Sequence, residues 1–162
     1  MRSASFLSII ALALSQTTFA KEDPNGDHHY KLDHPGGVCT IDKITGVSNS
    51  TSADYDSCLK LVEVVQWDST WGYVIKGTDD GPQGLGSYAI CGFDVQVLDP
   101  TDRDAEVPIT HADMATIITQ GSVHQVDGKL GIYGEVSCSA EGRSGKLWFR
   151  VDSYDAYGQN ER

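Results

Sequence analysis

Basic residues are scarce in this chain. Its 162 residues carry 12 Lys and Arg against 23 Asp and Glu, a formal charge of −11. Such an excess repels phosphate backbones and anionic lipid headgroups, so nucleic acid is not expected as a partner. Long apolar runs are missing after residue 20, and none reaches the ~20 residues of a membrane-crossing helix, so stable membrane insertion is not expected either. No internal repeat is visible, which argues against a solenoid or propeller. Catalytic signatures are wanting too: no motif stands in the strand, turn or helix context that its chemistry requires. His28, His29 and His34 fit no closed metal-site spacing, and adjacent His side chains diverge. Asp79 and Asp80 form neither a calcium loop nor a specified acid/base pair. No metal or other cofactor is expected.

What is present begins with a targeting segment. Arg2 precedes an apolar core from Phe6 to Leu14, and Thr18-Phe19-Ala20 resembles a cleavage site, so residues 1–20 read as a secretory signal. Its removal takes one basic residue and no acid, leaving 142 residues with a charge of −12. That is enough for one domain with a real core. All four cysteines (Cys39, Cys58, Cys91 and Cys138) lie in this part. An even count behind a signal implies two disulfides, with three possible pairings. Residues 21–37 are polar, aperiodic and expected to be a flexible segment; 38–153 form the folded domain; 154–162 are a polar tail.

Periodicity places the elements. Cys58, Leu61, Val62 and Val65 recur at helical spacing, predicting a helix from about Asp54 to Gln66 with Ser52 or Asp54 as N-cap. Trp71–Lys76 reads as the first strand of a hairpin, followed by a loop from Gly77 to Gly86. Cys91, Phe93, Val95 and Val97 alternate on one strand face. Asp99–Pro108 reads as a polar connection. A second helix runs from Thr110 to about Gln120, with Thr110 and Asp113 at capping-box spacing. Two strands follow, Lys129–Cys138 and one marked by Leu147, Phe149 and Val151, with a turn over Ser139–Gly145 between them. Trp148 and Arg150 face the other way from that last apolar row. Asn49-Ser50-Thr51 fits the N-glycosylation triplet.

This order implies an α+β two-layer sandwich, a mainly antiparallel sheet with two helices on one face in a split β-α-β arrangement. The strand opening at Cys39 is expected at the sheet's centre beside a late strand. Burying the helix stripe against the Cys91 strand brings Cys58 and Cys91 together. The split layout makes Cys39 and Cys138 neighbours. The expected pairs are therefore 39–138 and 58–91.

The same residues carry a family resemblance over Cys39 to Trp148. Cys39, the helix-starting Ser57-Cys58, the aromatic strand at Trp71 and Tyr88-Ala89-Ile90-Cys91-Gly92-Phe93 follow one another in order. The helix with Asp113, Met114, Ile117 and Ile118 comes next, then Gly128–Gly134 leading to Cys138. This order resembles the fungal secreted effectors homologous to extracellular protein 2, for which a necrosis-inducing role is proposed. The resemblance implies a fold related to that of a virally encoded fungal killer toxin.

Three functional readings compete. The resemblance and the secretory signal favour a non-enzymatic extracellular effector acting on a surface component of a host plant or competitor cell. Its interaction surface would combine Asp79 and Asp80 of the loop with Trp148 and Arg150. A carbohydrate- or wall-binding module would instead use Trp67, Trp71, Tyr73 and Trp148 as an aromatic strip. A small hydrolase or ribonuclease would draw on Asp94, Glu135, His111 and His124, whose spacing sets no shared cleft.

Overall fold

Alternation dictates the longest strand, and the rest of the sheet assembles on it. The computed structural model describes residues 29–31, 36–67, 70–77, 81–99 and 105–153. In chain order the elements are β1 (His29–Lys31), β2 (Cys39–Gly46), β3 (Ala53–Asp54), α1 (Tyr55–Gln66), β4 (Trp71–Lys76), β5 (Gln83–Tyr88) and β6 (Cys91–Val97). There follow β7 (Glu106–Thr110), α2 (His111–Gly121), β8 (Lys129–Leu130), β9 (Ile132–Ala140) and β10 (Arg143–Ser153). A short 3₁₀ turn at Ser122–His124 extends α2.

The fold is α+β, with a five-stranded antiparallel sheet in the order β2-β9-β10-β6-β5. Its inner face is the apolar one. Leu147, Phe149 and Val151 of β10 face Val97, Val95 and Phe93 of β6 in register, and all six are buried. Phe93 and Phe149 stack with centroids 6.3 Å apart. Phe149 also lies over Gly134 of β9, where a Cβ would stand 2.7 Å from its ring and 2.0 Å from the Lys43 carbonyl. Only glycine fits there.

Both helices cover this face. α1 buries Cys58, Leu61, Val62 and Val65, the expected stripe, and α2 buries Met114, Ile117 and Ile118 against it. A three-stranded sheet, β1-β4-β7, completes the inner layer. Val107 of β7 packs where a side chain on Gly145 of β10 would otherwise sit. A two-stranded pairing of β3 with β8 closes one edge.

The two disulfides are the expected ones, Cys39–Cys138 and Cys58–Cys91, with Cα separations of 4.0 and 5.2 Å. They close 99 and 33 residues, so constraint of the unfolded chain stabilises the fold by about 3–5 kcal/mol apiece. The layout around them needs correction in five places. β2 is an edge strand, not a central one, although it does neighbour β9 with Cys39 opposite Cys138. β4 is no hairpin partner of β6; it lies between β1 and β7, and β6 pairs with β5 and β10. The second half of the presumed Gly77–Gly86 loop is β5, and the end of the presumed connection is β7. Pro108 conceals β7 in the sequence, since proline is confined to edge strands, and β7 is an edge. Finally, the turn before β10 shrinks to Glu141 and Gly142, both with positive φ, the two-residue geometry that matches strand twist. His29–Lys31 form a strand within the segment that carries no sequence periodicity.

The helix starts are tied down differently. Asp54 is the N-cap of α1, yet its side chain makes no cap bond; its Oδ1 accepts from Lys129 Nζ at 2.6 Å. The Gly128 carbonyl instead takes the first free amide, at Tyr55. At α2 the expected capping box is present. Asp113 is 3% exposed, and Oδ2 accepts from the Thr110 amide (2.9 Å) and hydroxyl (2.7 Å). The same carboxylate reaches across the fold to Val38 N (3.2 Å) and Cys39 N (2.9 Å). Truncation at Asp113→Ala strands several of these donors in a buried site. A loss of about 3 kcal/mol is expected by chemical denaturation of the oxidised protein. Cys91→Ser is expected to cost about 2–5 kcal/mol in the same assay.

Candidate interaction surface

Among the described residues, both helices turn their buried stripes to the inner face of the five-stranded sheet, and none covers the outer one. Because odd-numbered β10 residues fill the core, Lys146, Trp148, Arg150 and Asp152 point the other way. The neighbouring strands set Glu135 and Gln96 on either side of Trp148, and Tyr133 and Asp94 on either side of Arg150. Lys43 of β2 lies opposite Glu135 and extends the first row. Asp94 is 4% exposed, so the cross-strand Arg150 places a cation beside a largely desolvated carboxylate. Arg150 Nη2 also donates to Asp152 Oδ2 at 3.3 Å.

Trp148 lies half-buried at one end of this face. It lines an open groove of about 360 Å³ with Pro82, Gln96, Val97 and Leu98. The groove offers an aromatic ring, three aliphatic side chains and one amide, the mixture by which an exposed Trp binds an amphipathic partner. On its β2 side the face is braced by Asp42. This residue is an extra one in β2, between Ile41 and Lys43. Its Oδ2 accepts from Ser137 Oγ at 2.6 Å and from Lys146 Nζ at 3.2 Å, joining β2, β9 and β10.

Of the residues named from sequence, Trp148 and Arg150 do share this surface. Asp79 and Asp80 lie outside the described residues, but Pro82, from the same loop, reaches the Trp148 groove. Alternation could find Trp148 and Arg150. Gln96, Leu98 and Pro82 carry no local signal, since the groove forms only where a loop end meets the ends of two strands.

The aromatic strip is not formed. Trp67 ends α1 and is 94% exposed on the helical side, whereas Trp148 lies across the sheet. Trp71 is half-buried on β4. Tyr73 donates to the Leu85 carbonyl at 2.7 Å and packs against His111, ring centroids 5.5 Å apart. The Tyr73 hydroxyl oxygen also lies 3.4 Å from His111 Nε2. The hydrolase candidates do not converge either. His111 opens α2 and His124 follows its end, roughly 16 Å of helix apart. Asp94 and Glu135 lie on the outer face with β10 between their strands. Among the described residues, no group of three or more His, Cys, Asp or Glu is placed to hold a metal ion.

The sequence pattern of the Hce2 pathogen effectors, a family proposed to comprise necrosis-inducing factors, matches residues 38–138. The chain belongs to this family. No curated protein matches it. The Hce2 match begins beside Cys39 and ends at Cys138, so its limits coincide with the longer disulfide. It includes both helices and the Pro82 and Gln96 side of the groove; β10 with Trp148 lies past its end. Paired cysteines throughout are consistent with an extracellular Hce2 protein. Among the described residues, no helix is long and apolar enough to cross a membrane.

The Asp42 brace gives a pH-dependent readout. The hydrogen bond from Ser137 and the Lys146 ammonium hold the Asp42 carboxyl below the usual carboxylate range. A depressed folded-state pKa means that this group's contribution to stability is present above about pH 4, its unfolded value. It is lost as pH falls through the folded pKa. A carboxyl-carbon NMR titration is expected to show Asp42 titrating below the ordinary aspartate value. Ser137→Ala should move it upward.

Proposed function

We propose that this protein is a secreted, non-enzymatic effector that acts on a surface component of a host plant or competitor cell, inducing necrosis or modulating immunity. The observation that carries the reading is the effector-family match across the disulfide-bonded domain, from 38 to 138. Support for the secretory route comes from the apolar segment at 1–20 and from the paired cysteines. We place the working surface on the outer sheet face, at Trp148 and Arg150 with the groove formed by Pro82, Gln96 and Leu98. The helices and the small sheet occupy the other side, and an aromatic anchor beside charged side chains is the usual composition of a recognition patch.

A wall-polysaccharide reading has one observation in its favour, the pairing of Trp148 with Gln96 at the groove. An apolar ring face next to an amide suits a sugar. Sedimentation with chitin, glucan and cellulose separates the two readings, since an effector of a cell-surface component stays in the supernatant.

Infiltration of the purified, oxidised protein into leaf tissue tests the main reading. Cell death is expected from wild type and not from the reduced, alkylated protein. Trp148→Ala should lower the response at least tenfold in dose with little change in stability, because the side chain is only half-buried and lies outside the core. Absence of any response across several host species contradicts the necrosis reading. An undiminished response to Trp148→Ala moves the working surface elsewhere.

A further inference from the structure

Among the three asparagines of the chain, Asn25, Asn49 and Asn160, only Asn49 stands two residues before a hydroxyl side chain. The structure puts it in the exposed loop that follows edge strand β2. The Asn49 Oδ1 accepts from both the Thr51 amide (2.8 Å) and the Thr51 hydroxyl (2.6 Å). Its Nδ2 makes one bond, donating to the Val47 carbonyl at 3.3 Å. A primary amide has two N–H groups, so the second can be replaced without disturbing the loop.

This loop packs against the segment after α2. Ser48 Oγ donates to the His124 carbonyl at 2.8 Å, and Val47 N to the Gly131 carbonyl at 2.8 Å. The two segments joined in this way carry three exposed valines: Val47 (42% exposed), Val123 (81%) and Val126 (53%). An edge strand and a set of bare aliphatic side chains would favour self-association in an extracellular protein.

We propose that Asn49 carries an N-linked oligosaccharide, which shields the open edge of β2 and the exposed Val47, Val123 and Val126 side chains. In the transfer, Nδ2 loses one proton and forms a bond to C1 of the first sugar. The C1–O bond to the pyrophosphate of a lipid-linked oligosaccharide donor breaks, and the lipid pyrophosphate leaves. No electrons are exchanged. The folded loop accommodates the product, because the remaining Nδ2–H still reaches the Val47 carbonyl and the new substituent extends into solvent.

The inference rests on the secretory route proposed above, and its test separates the two. The full-length chain is expressed in a eukaryotic host, and both the medium and the microsomal fraction are examined. The expected result is a mobility shift removed by endoglycosidase, with the sugar mapped to the Asn49 peptide. Asn49→Gln and Thr51→Ala lose the shift, and Thr51→Ser retains it. Where a variant is held back from the medium, its microsomal pool gives the same readout. Light scattering should show more association after enzymatic removal of the sugar than before. Secreted protein with Asn49 bare overturns the glycan and leaves the route standing. Protein found in neither fraction overturns the route. A glycan at Asn49 without any change in association on its removal overturns the shielding role.

Discussion

A buried carboxylate ties the start of the family domain to its second helix. Burying a charge is costly unless donors replace the water it loses, and Asp113 receives them from three separate places. Thr110 supplies two, from the residue that caps α2, and the backbone of Val38 and Cys39 supplies the others. The helix N-terminus adds its own partial positive charge. As a result the start of β2 is fixed to α2 before the Cys39–Cys138 bond is considered, and that bond then fixes the same point to β9. Gly37 is part of the arrangement, since a Cβ there would lie 2.6 Å from the Asp113 carboxylate.

Local chemistry in the sequence reached a good part of this. The stripe of Cys58, Leu61, Val62 and Val65 and the alternation from Cys91 to Val97 pointed to one helix-to-sheet contact, which sufficed to pair two cysteines. The spacing of Thr110 and Asp113 marked the start of α2. Alternation also turned Trp148 and Arg150 outward correctly. What stayed hidden is non-local. Nothing near Asp113 says that it will bind amides more than seventy residues earlier in the chain. Gln83–Tyr88 is rich in glycine and lacks a β-branched residue, so its strand is made by pairing with β6 rather than by propensity. The extra residue at Asp42, and with it the bracing of three strands, follows from pairing that cannot be seen before the partner strand is known.

The division of labour between the two sides of the sheet bears on function. One side is filled by helices, aromatic stacking and the small sheet, and substitutions there act on stability first. The other side carries charged and polar rows around Trp148, where side chains can vary with little effect on the core. Such a separation lets a surface diversify while the scaffold that holds it stays fixed. The mixed charges of the outer face, with Lys43, Lys146 and Arg150 among Asp42, Asp94, Glu135 and Asp152, also mean that the chain's net acidity is not concentrated on this face.

The two covalent cross-links have a consequence for the order in which the chain matures. Cys58 and Cys91 lie inside the interval bounded by Cys39 and Cys138, so the loops are nested. As the chain emerges from its N-terminus, Cys39 is the first thiol to appear and the last to find its mate, because its partner is the final cysteine made. Cys58 and Cys91 meet earlier, once α1 and β6 are both available. Until β9 emerges, the leading thiol has only wrong partners within reach. The path that avoids them closes the inner loop first and leaves β2 to dock at the sheet's edge, where a late arrival displaces no other strand.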